Sequence, residues 1–244
     1  MHLILDFGNT LIKCFVFDAQ ELVFQEHVQI NDWQKNIRKH LVDFPKIDAL
    51  IISDVRGITS EKDQQFFNGL QVYYCNSKLK IPFSNHYKTP ESLGADRIAL
   101  VAAATLLYPN QDVLIIDLGS CITYDFKDTA NNYYGGAISP GFKMRYKSLH
   151  TNTGKLPSLE SKTPTHWIGD TTENAIHSGV YFGILSEIQG QIAHYTEKCE
   201  NLTVIFVGGD AQRLPKPFKN GIFAHSNFLA KGLNYILELN KSSC

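Results

Sequence analysis

The feature that most constrains this chain is a ten-residue pattern that occurs twice, at an offset close to half the chain length. The first copy runs from Leu3 to Ile12 and the second from Leu114 to Thr123. In each copy an apolar strand ends at an Asp, followed by one residue, a Gly, a small polar residue and a second apolar strand. Since self-similarity indicates duplication, we predict two related α/β halves, 1–112 and 113–244.

Local patterns predict the elements of each half. Strands are predicted at His2–Phe7, Leu11–Phe17, Leu22–Val28, Ala49–Ser53, Gln71–Cys75, Leu114–Asp117, Ile122–Phe126, Tyr133–Ile138 and Val204–Val207. Helices are predicted at Asn31–Phe44, Glu61–Leu70, Pro90–Tyr108, Phe142–Leu149, Thr171–Cys199 and Asn227–Leu239. A break in the long helix is expected near Gly183 or Gly190. Each half therefore opens with three strands before its helices.

Bulk properties exclude several classes of protein. A chain of 244 residues with 43% hydrophobic residues can bury a core without disulfides or a structural metal. Its five cysteines form no C-x-x-C pair, which is typical of free thiols in a reducing cytosol. The net charge of −1 argues against a nucleic-acid partner, and no apolar stretch is long enough to span a bilayer. We expect a cytoplasmic protein with no membrane or nucleic-acid partner.

The repeated turn has residues suited to binding phosphate. A Gly without a Cβ lets the backbone approach an oxyanion closely, and Asn9, Thr10 and Ser120 offer hydrogen-bond donors. The Asp at each strand end can hold a hydrated Mg²⁺, and Lys13 could add positive charge. Either copy alone could be an ordinary hairpin turn. Two copies favour a pair of phosphate-binding turns, and no P-loop motif is present.

Two further segments suggest binding or chemistry. Gly208-Gly209 follows a predicted strand and would let an adenine ring lie against the backbone, or simply form a turn. Asp96, near the start of an apolar helix, is favoured as an ionised carboxylate by the helix dipole. This suits a base that accepts a hydroxyl proton during phosphoryl transfer. Arg97 could bind a substrate carboxylate or the transferred phosphoryl group. The alternative is an ordinary first-turn Asp beside a surface Arg.

Together these residues resemble the type III pantothenate kinases of the acetate kinase/sugar kinase/Hsp70/actin superfamily. The motifs that carry the resemblance span nearly the whole chain: Asp6–Thr10, Tyr87, Gly94–Arg97, Asp117–Ser120, Gly135–Gly141, Thr153–Pro157, Ile168–Thr172 and Gly208-Gly209. The resemblance implies an α/β, duplicated ribonuclease H-like (actin-like ATPase) fold of two mixed-sheet halves with flanking helices. It also implies phosphorylation of pantothenate by ATP, the first step of coenzyme A biosynthesis.

The resemblance further implies roles for individual residues. ATP would contact Ser120 and a first loop made of Asp6, Phe7, Gly8, Asn9, Thr10, Leu11, Ile12 and Lys13. Asp96 would be the general base, in a pantothenate pocket of Tyr87, Gly94, Ala95, Asp96, Arg97 and Thr172. Asp117 would belong to a site for a monovalent cation, potassium or ammonium. The family also implies Mg²⁺ and a homodimer with the substrate pocket near the subunit interface.

Two positions depart from the family pattern. Ser120-Cys121 stands where the family usually has Thr-Ala, and Asp170 would place a carboxylate near phosphate.

Two other functions remain open. One alternative is a related kinase for another small hydroxyl or carboxylate substrate, such as a sugar, which Tyr87 with Gly94–Arg97 disfavours. The other is a non-catalytic, nucleotide-binding regulatory relative. Retention of all three predicted site aspartates favours catalysis.

Overall fold

The computed structural model describes residues 1–8, 11–59, 66–215, 218, 221–224 and 227–241. Contacts between Cα atoms divide the chain into two compact units. The first comprises 1–109, 131–134 and the chain from 227 onward, and the second comprises 110–130 and 135–226. The predicted halves, 1–112 and 113–244, were defined by the repeated sequence pattern, whereas these units are defined by contacts. The division into those two halves therefore stays a prediction.

The first unit is built on a five-stranded mixed sheet. Its elements are β1 (His2–Phe7), β2 (Leu11–Asp18), β3 (Glu21–Gln29), α1 (Trp33–Asp43), β4 (Ala49–Asp54), β5 (Gln71–Tyr74), the two-residue β6 (Ser84–Asn85), α2 (Ala95–Leu107) and α5 (Phe228–Asn240). The strand order is β3-β2-β1-β4-β5. Strands β1, β2 and β3 form an antiparallel meander, whereas β4 and β5 continue the sheet in parallel.

The central strand β1 is buried along its whole length, and its two faces have different neighbours. Leu3, Leu5 and Phe7 pack in one cluster with Trp33 of α1. Because side chains alternate along a strand, Asp6 lies on the opposite face, where α2 and α5 cover the sheet. The strand period therefore directs the Asp6 carboxylate towards the first turn of α2.

The second unit repeats this topology. Its elements are β7 (Asp112–Leu118), β8 (Cys121–Lys127), β9 (Asn132–Pro140), α3 (Phe142–Thr151), α4 (Thr172–Thr196), β10 (Leu202–Val207) and β11 (Ile222–Phe223). The second sheet has six strands in the order β11-β10-β7-β8-β9-β6. Apart from the two-residue edge strand β6, its order β9-β8-β7-β10-β11 matches β3-β2-β1-β4-β5. A meander followed by parallel strands, with helices on the sheet faces, is the ribonuclease H-like arrangement. Its occurrence twice confirms the predicted fold class.

Several element boundaries differ from the predictions. Helix α2 begins at Ala95 rather than Pro90, because Pro90–Ser92 forms a separate 3-10 turn and Gly94 is the N-cap. Residues 61–65 of the predicted helix Glu61–Leu70 lie outside the described residues, and residues 66–67 form a 3-10 turn instead of an α-helix. Strand β11 is not among the predicted strands, because two residues are too few to show the alternation of side chains that indicates a strand.

Helix α4 runs unbroken for 25 residues, so the predicted break is wrong. Gly183 and Gly190 both lie on its exposed side. There a missing side chain costs helix propensity without removing buried packing. Across the described ranges, α4 included, no helix is both long and apolar enough to cross a membrane.

Candidate active site

At the end of β1, the Asp6 carboxylate is held by two side chains from neighbouring strands. Lys13 is its cross-strand partner, with Nζ 3.5 Å from Asp6 Oδ2. The buried Ser53 hydroxyl of β4 donates to Asp6 Oδ1 at 3.2 Å. Burial raises the pKa of Asp6, and the nearby Asp96 charge raises it further, while Lys13 and Ser53 act in the opposite direction. Asp6 is therefore a buried carboxylate whose charge depends on a nearby cation.

The turn after Asp6 presents backbone rather than apolar side chains. The Gly8 N–H donates to the Leu11 carbonyl at 3.1 Å, which closes the turn. Phe7 and Ile12 are fully buried in the core, so only their backbone could contact a nucleotide. Leu11 is half-buried. The predicted ligands Asn9 and Thr10 lie outside the described residues.

The first turn of α2 holds the predicted base. Asp96 is the second residue of the helix, and its Oδ1 accepts the Arg97 N–H at 2.8 Å. A Cβ atom at Gly94 would lie 2.4 Å from Asp96 Oδ1, so the observed carboxylate position requires glycine there. Ala95 is buried beneath this turn. The half-buried carboxylate is thus placed at the positive end of the helix.

Arg97 lies beneath an aromatic pair instead of on the surface. Its side chain is only 5% exposed, and its Cζ lies 5.6 Å from the centre of the Tyr87 ring. The Tyr87 ring is in turn stacked on Tyr133 at 6.3 Å. A buried guanidinium over an aromatic face is held by packing and by cation–π attraction. The alternative of a surface arginine is therefore wrong.

Two residues of this cluster escaped the sequence analysis. Ser53 ends up against Asp6 because β4 pairs in parallel with β1. Cys75 directly follows β5, and its Sγ lies 3.6 Å from the Ala95 carbonyl. Burial raises the pKa of Cys75, and the charges of Asp96 and Asp6 raise it further. Both residues stand at the carboxyl ends of parallel strands, where ligand sites of open α/β sheets form.

The second Asp-Gly hairpin joins β7 to β8. Here Asp117 pairs across the strands with Thr123, and the Gly119 N–H donates to the Cys121 carbonyl at 3.0 Å. Ser120 is exposed at the apex of the turn. Thr123 is buried, and its Oγ1 makes no hydrogen bond within the described part of the chain. The Thr123 hydroxyl is therefore a buried polar group without a partner in the described residues, at the position paired with Asp117.

The Gly208 turn after β10 packs directly against Asp117. Gly208 has φ +89°, and a Cβ atom there would lie 2.4 Å from both Asp117 Oδ1 and the Leu118 carbonyl oxygen. The Asp117 carboxylate and the Leu118 carbonyl oxygen therefore pack tightly against Gly208, a contact that leaves no room for a side chain at this position. At Gly209 a Cβ atom would meet nothing within 4 Å, which leaves open space for a flat ligand. In the described ranges, no three His, Cys, Asp or Glu side chains cluster as a metal site.

Thr172 begins α4 and is exposed, in the second unit. Next to it, Asp170 Oδ1 accepts a hydrogen bond from Asn174 Nδ2 at 2.7 Å, which lowers the pKa of Asp170. The Asp170 carboxylate is therefore stabilised by a hydrogen bond from Asn174 in the first turn of α4.

The structure gathers the predicted residues into two groups. Asp6, Lys13, Asp96, Arg97 and Tyr87 belong to the first unit, and Asp117, Ser120 and Thr172 belong to the second.

Two repeated mixed sheets, each with an Asp-Gly hairpin beside its parallel strands, have the fold of actin-like ATPases and sugar kinases. Two solved structures share this fold. MreB5 of Spiroplasma citri, solved with ADP, has a TM-score of 0.51 at 12% identity and covers 97% of this chain and 95% of its own. (R)-2-hydroxyglutaryl-CoA dehydratase component A of Acidaminococcus fermentans has a TM-score of 0.53 at 12% identity, covering 96% and 95%.

Sequence comparison narrows this class to one family. The family model for type III pantothenate kinase matches residues 2–194. A type III pantothenate kinase of Christiangramia forsetii is 46% identical over 242 residues, which is 99% of this chain and 100% of that protein. This chain belongs to the type III pantothenate kinase family.

Proposed function

We propose that this chain transfers the γ-phosphoryl group of ATP to the hydroxyl of pantothenate, giving 4′-phosphopantothenate in the first step of coenzyme A biosynthesis. The observation that carries the proposal is the Asp96–Arg97 pair at the start of α2 in a member of this family. A carboxylate and a buried guanidinium side by side suit a substrate that has both a reactive hydroxyl and a carboxylate.

Asp96 is the general base in this proposal. Its carboxylate accepts the proton of the substrate hydroxyl while the hydroxyl oxygen bonds to the γ-phosphorus and the bond to the ADP oxygen breaks. Arg97 binds the pantothenate carboxylate, and Tyr87 holds the guanidinium in place through the 5.6 Å ring contact. Gly94 and Ala95 leave room at the helix start, and Thr172 adds a hydroxyl contact.

The nucleotide is assigned to the two hairpin turns. In the first loop, Asp6, Phe7, Gly8, Leu11, Ile12 and Lys13 act together with Asn9 and Thr10, mostly through backbone groups. Lys13 supplies positive charge to the phosphates, and Asp6 suits a hydrated Mg²⁺, because Mg²⁺ is usually bound by one or two carboxylates and keeps several waters. Ser120 provides a hydroxyl from the second turn.

Asp117 is assigned to a monovalent-cation site for potassium or ammonium. The assignment is supported by the Asp117 carboxylate near the end of β7 and by the buried Thr123 hydroxyl across the strands, which makes no hydrogen bond within the described residues. Oxygen ligands of this kind suit a hard cation. A bound cation supplies positive charge next to the phosphates of the nucleotide. The protein residues orient its oxygen ligands.

We also propose that the protein is a cytoplasmic homodimer whose interface includes part of the second unit. Trp167 and Ile168 are 64% and 81% exposed, and Ile138 and Met144 are exposed as well. Exposed apolar groups of this kind commonly mark protein interfaces. Sedimentation of the purified protein tests this, and a monomer at micromolar concentration would exclude a stable dimer.

The first experiment measures ADP release by the purified protein with ATP, Mg²⁺ and potassium, with and without pantothenate. We expect release that depends on pantothenate, with phosphopantothenate identified by mass. Faster release with a hexose would favour a kinase for another substrate. Nucleotide binding without turnover on either would favour a regulatory relative.

The general base is tested with Asp96→Asn. The asparagine keeps an Oδ1 acceptor for the Arg97 N–H but cannot take up the hydroxyl proton. We expect kcat to fall by about 10²–10⁴-fold, with the ATP dissociation constant unchanged. Asp18→Asn, at the exposed end of β2, is the matched control. Full activity of Asp96→Asn would remove Asp96 from the role of base.

A further inference from the structure

A compact polar cluster lies inside the second unit, away from the predicted ligands. The half-buried Glu187 carboxylate, midway along α4, accepts three hydrogen bonds from three other elements. Tyr124 of β8 donates its hydroxyl at 2.8 Å, Ser139 of β9 donates its hydroxyl, and Arg145 of α3 donates from Nη2. Three donors on one carboxylate make charge-assisted bonds of high directional specificity.

The cluster keeps Glu187 ionised despite its position. Burial alone would raise the pKa of Glu187, but the hydrogen bonds from Ser139, Arg145 and Tyr124 outweigh it and hold the pKa below its usual range. Burial raises the pKa of Tyr124, so the phenol remains a donor. The ionised carboxylate is therefore favoured as the acceptor that holds the three side chains around it.

Arg145 connects this cluster to the second phosphate turn. Its Nε donates to the Pro140 carbonyl at 2.8 Å. The next residue, Gly141, donates its N–H to the Ser120 carbonyl at 3.1 Å. A Cβ atom at Gly141 would lie 2.5 Å from the Gly119 carbonyl oxygen and 2.6 Å from that of Ser120. The Pro140-Gly141 backbone thus supports the turn that carries Ser120.

We infer that Glu187 is a positioning residue for the second phosphate turn, acting through Arg145 and the Pro140-Gly141 backbone. The inference rests on the proposed function, because it takes Ser120 as a nucleotide ligand. It also gives a role to the Gly135–Gly141 segment, whose end binds Arg145. Without the Glu187 charge, Arg145 loses its anchor, and the turn no longer presents Ser120 in one fixed position.

The experiment compares Glu187→Gln with Glu187→Asp, Tyr124→Phe and the control Glu200→Gln, an exposed position after α4. The dissociation constant for Mg-ADP is measured by calorimetry, and KM is measured for ATP and for pantothenate. Glu187→Gln should weaken ADP binding and raise the KM for ATP by about 5–10-fold, the net loss expected for about one hydrogen bond. The KM for pantothenate should change less than about twofold. Tyr124→Phe should have a smaller effect of the same kind, and Glu187→Asp should restore part of the affinity.

A double-mutant cycle with Ser120→Ala separates positioning from general stability. If Glu187 acts through Ser120, adding Glu187→Gln to Ser120→Ala should cost less than about twofold in ADP affinity. Additive losses, equal rises in both KM values, or a lowered melting temperature with unchanged ADP affinity would overturn the inference. Should Glu187→Gln fail to fold, the same cycle is run with Tyr124→Phe.

Failure of the proposed function has a different signature. If the wild-type protein binds Mg-ADP but does not turn over pantothenate, the cycle on ADP affinity still decides the role of Glu187. If the wild type does not bind Mg-ADP, both the nucleotide assignment and this inference are wrong.

Discussion

In the β1–β2 hairpin the residue paired across from the aspartate is Lys13, whereas in the β7–β8 hairpin it is Thr123. The turns also differ in length. Phe7 pairs with Ile12 around the first, and Leu118 pairs with Ile122 around the second, so the first turn has one more residue. The two copies therefore fall out of step after the glycine. An alignment at constant offset would wrongly match Lys13 with Tyr124.

One repeated pattern therefore supports two electrostatic arrangements. Asp6 is compensated by a covalently attached cation, the Lys13 ammonium, at 3.5 Å. The residue across the strands from Asp117 is a threonine instead of a lysine, and Gly208 and the Leu118 carbonyl pack close to the Asp117 carboxylate. The first hairpin thus pairs its aspartate with a lysine, whereas the second, the proposed site of an exchangeable cation, has a threonine at that position.

The largest effect is expected from Gly208→Ala. The substituted residue would keep a φ of +89° and place its Cβ 2.4 Å from Asp117 Oδ1 and the Leu118 oxygen. Strain and overlap together should lower the free energy of unfolding by about 3 kcal/mol, measured by thermal or denaturant unfolding. Gly209→Ala, where a Cβ would meet nothing within 4 Å, is the matched control. Equal stability of the two variants would show that the space beside Asp117 is not tightly bounded.

Lys13→Met should have the next largest effect. The side chain is 42% exposed, so methionine fits the strand but removes the charge next to Asp6. Loss of one charged contact should raise the dissociation constant for ATP by about tenfold. Lys35→Met, exposed on α1, is the control. An unchanged ATP affinity would mean that Lys13 serves Asp6 alone and that the contrast between the hairpins is structural.

Much of the fold follows from local sequence patterns, because a short apolar run such as β1 and an alternating segment such as β8 are both typical of strands. Strand identities, the repeated opening meander and the position of Asp96 in a first helical turn were all predictable. The start of α2 was not. Pro90 is compatible with a helix start, but Gly94 leaves the space into which the Asp96 carboxylate folds, and that depends on side-chain direction.

The site was less predictable where it depends on strand pairing. Ser53 reaches Asp6 only because β4 lies parallel to β1, and a lone serine after an apolar run carries no local signal. Likewise, Lys13 and Thr123 occupy equivalent positions in the two hairpins only because the turns differ in length. The Asp-x-Gly residues shared by both turns do not specify that length. Glu187 lies on a helix where charged residues are usually solvated, and only the fold brings Tyr124 and Arg145 to it.

Replacement of potassium and ammonium by sodium should reveal the exchangeable charge. We expect the wild-type rate to fall by about fivefold, the lower end of typical coupling between two sites, in assays at constant ionic strength. Asp117→Asn should reduce the rate in potassium and abolish the dependence on the cation. Lys13→Met should keep that dependence. A wild-type rate that is equal in sodium would argue against a monovalent-cation site at Asp117.

The smallest effect concerns stability and is expected from Asp6→Asn without nucleotide or metal. Burial raises the pKa of Asp6 above its ordinary value of 3.8, so ionisation opposes folding. This cost is absent below the unfolded-state pKa and develops as the pH rises through the folded-state pKa. The asparagine variant should therefore be more stable than wild type at pH 7, by on the order of 1 kcal/mol or about 2–4 °C, although its activity is lost. The difference should narrow as the pH falls towards 4. A variant less stable than wild type at pH 7 would mean that the Lys13–Asp6 pair stabilises the fold on balance, and that the first hairpin holds its charge at no cost.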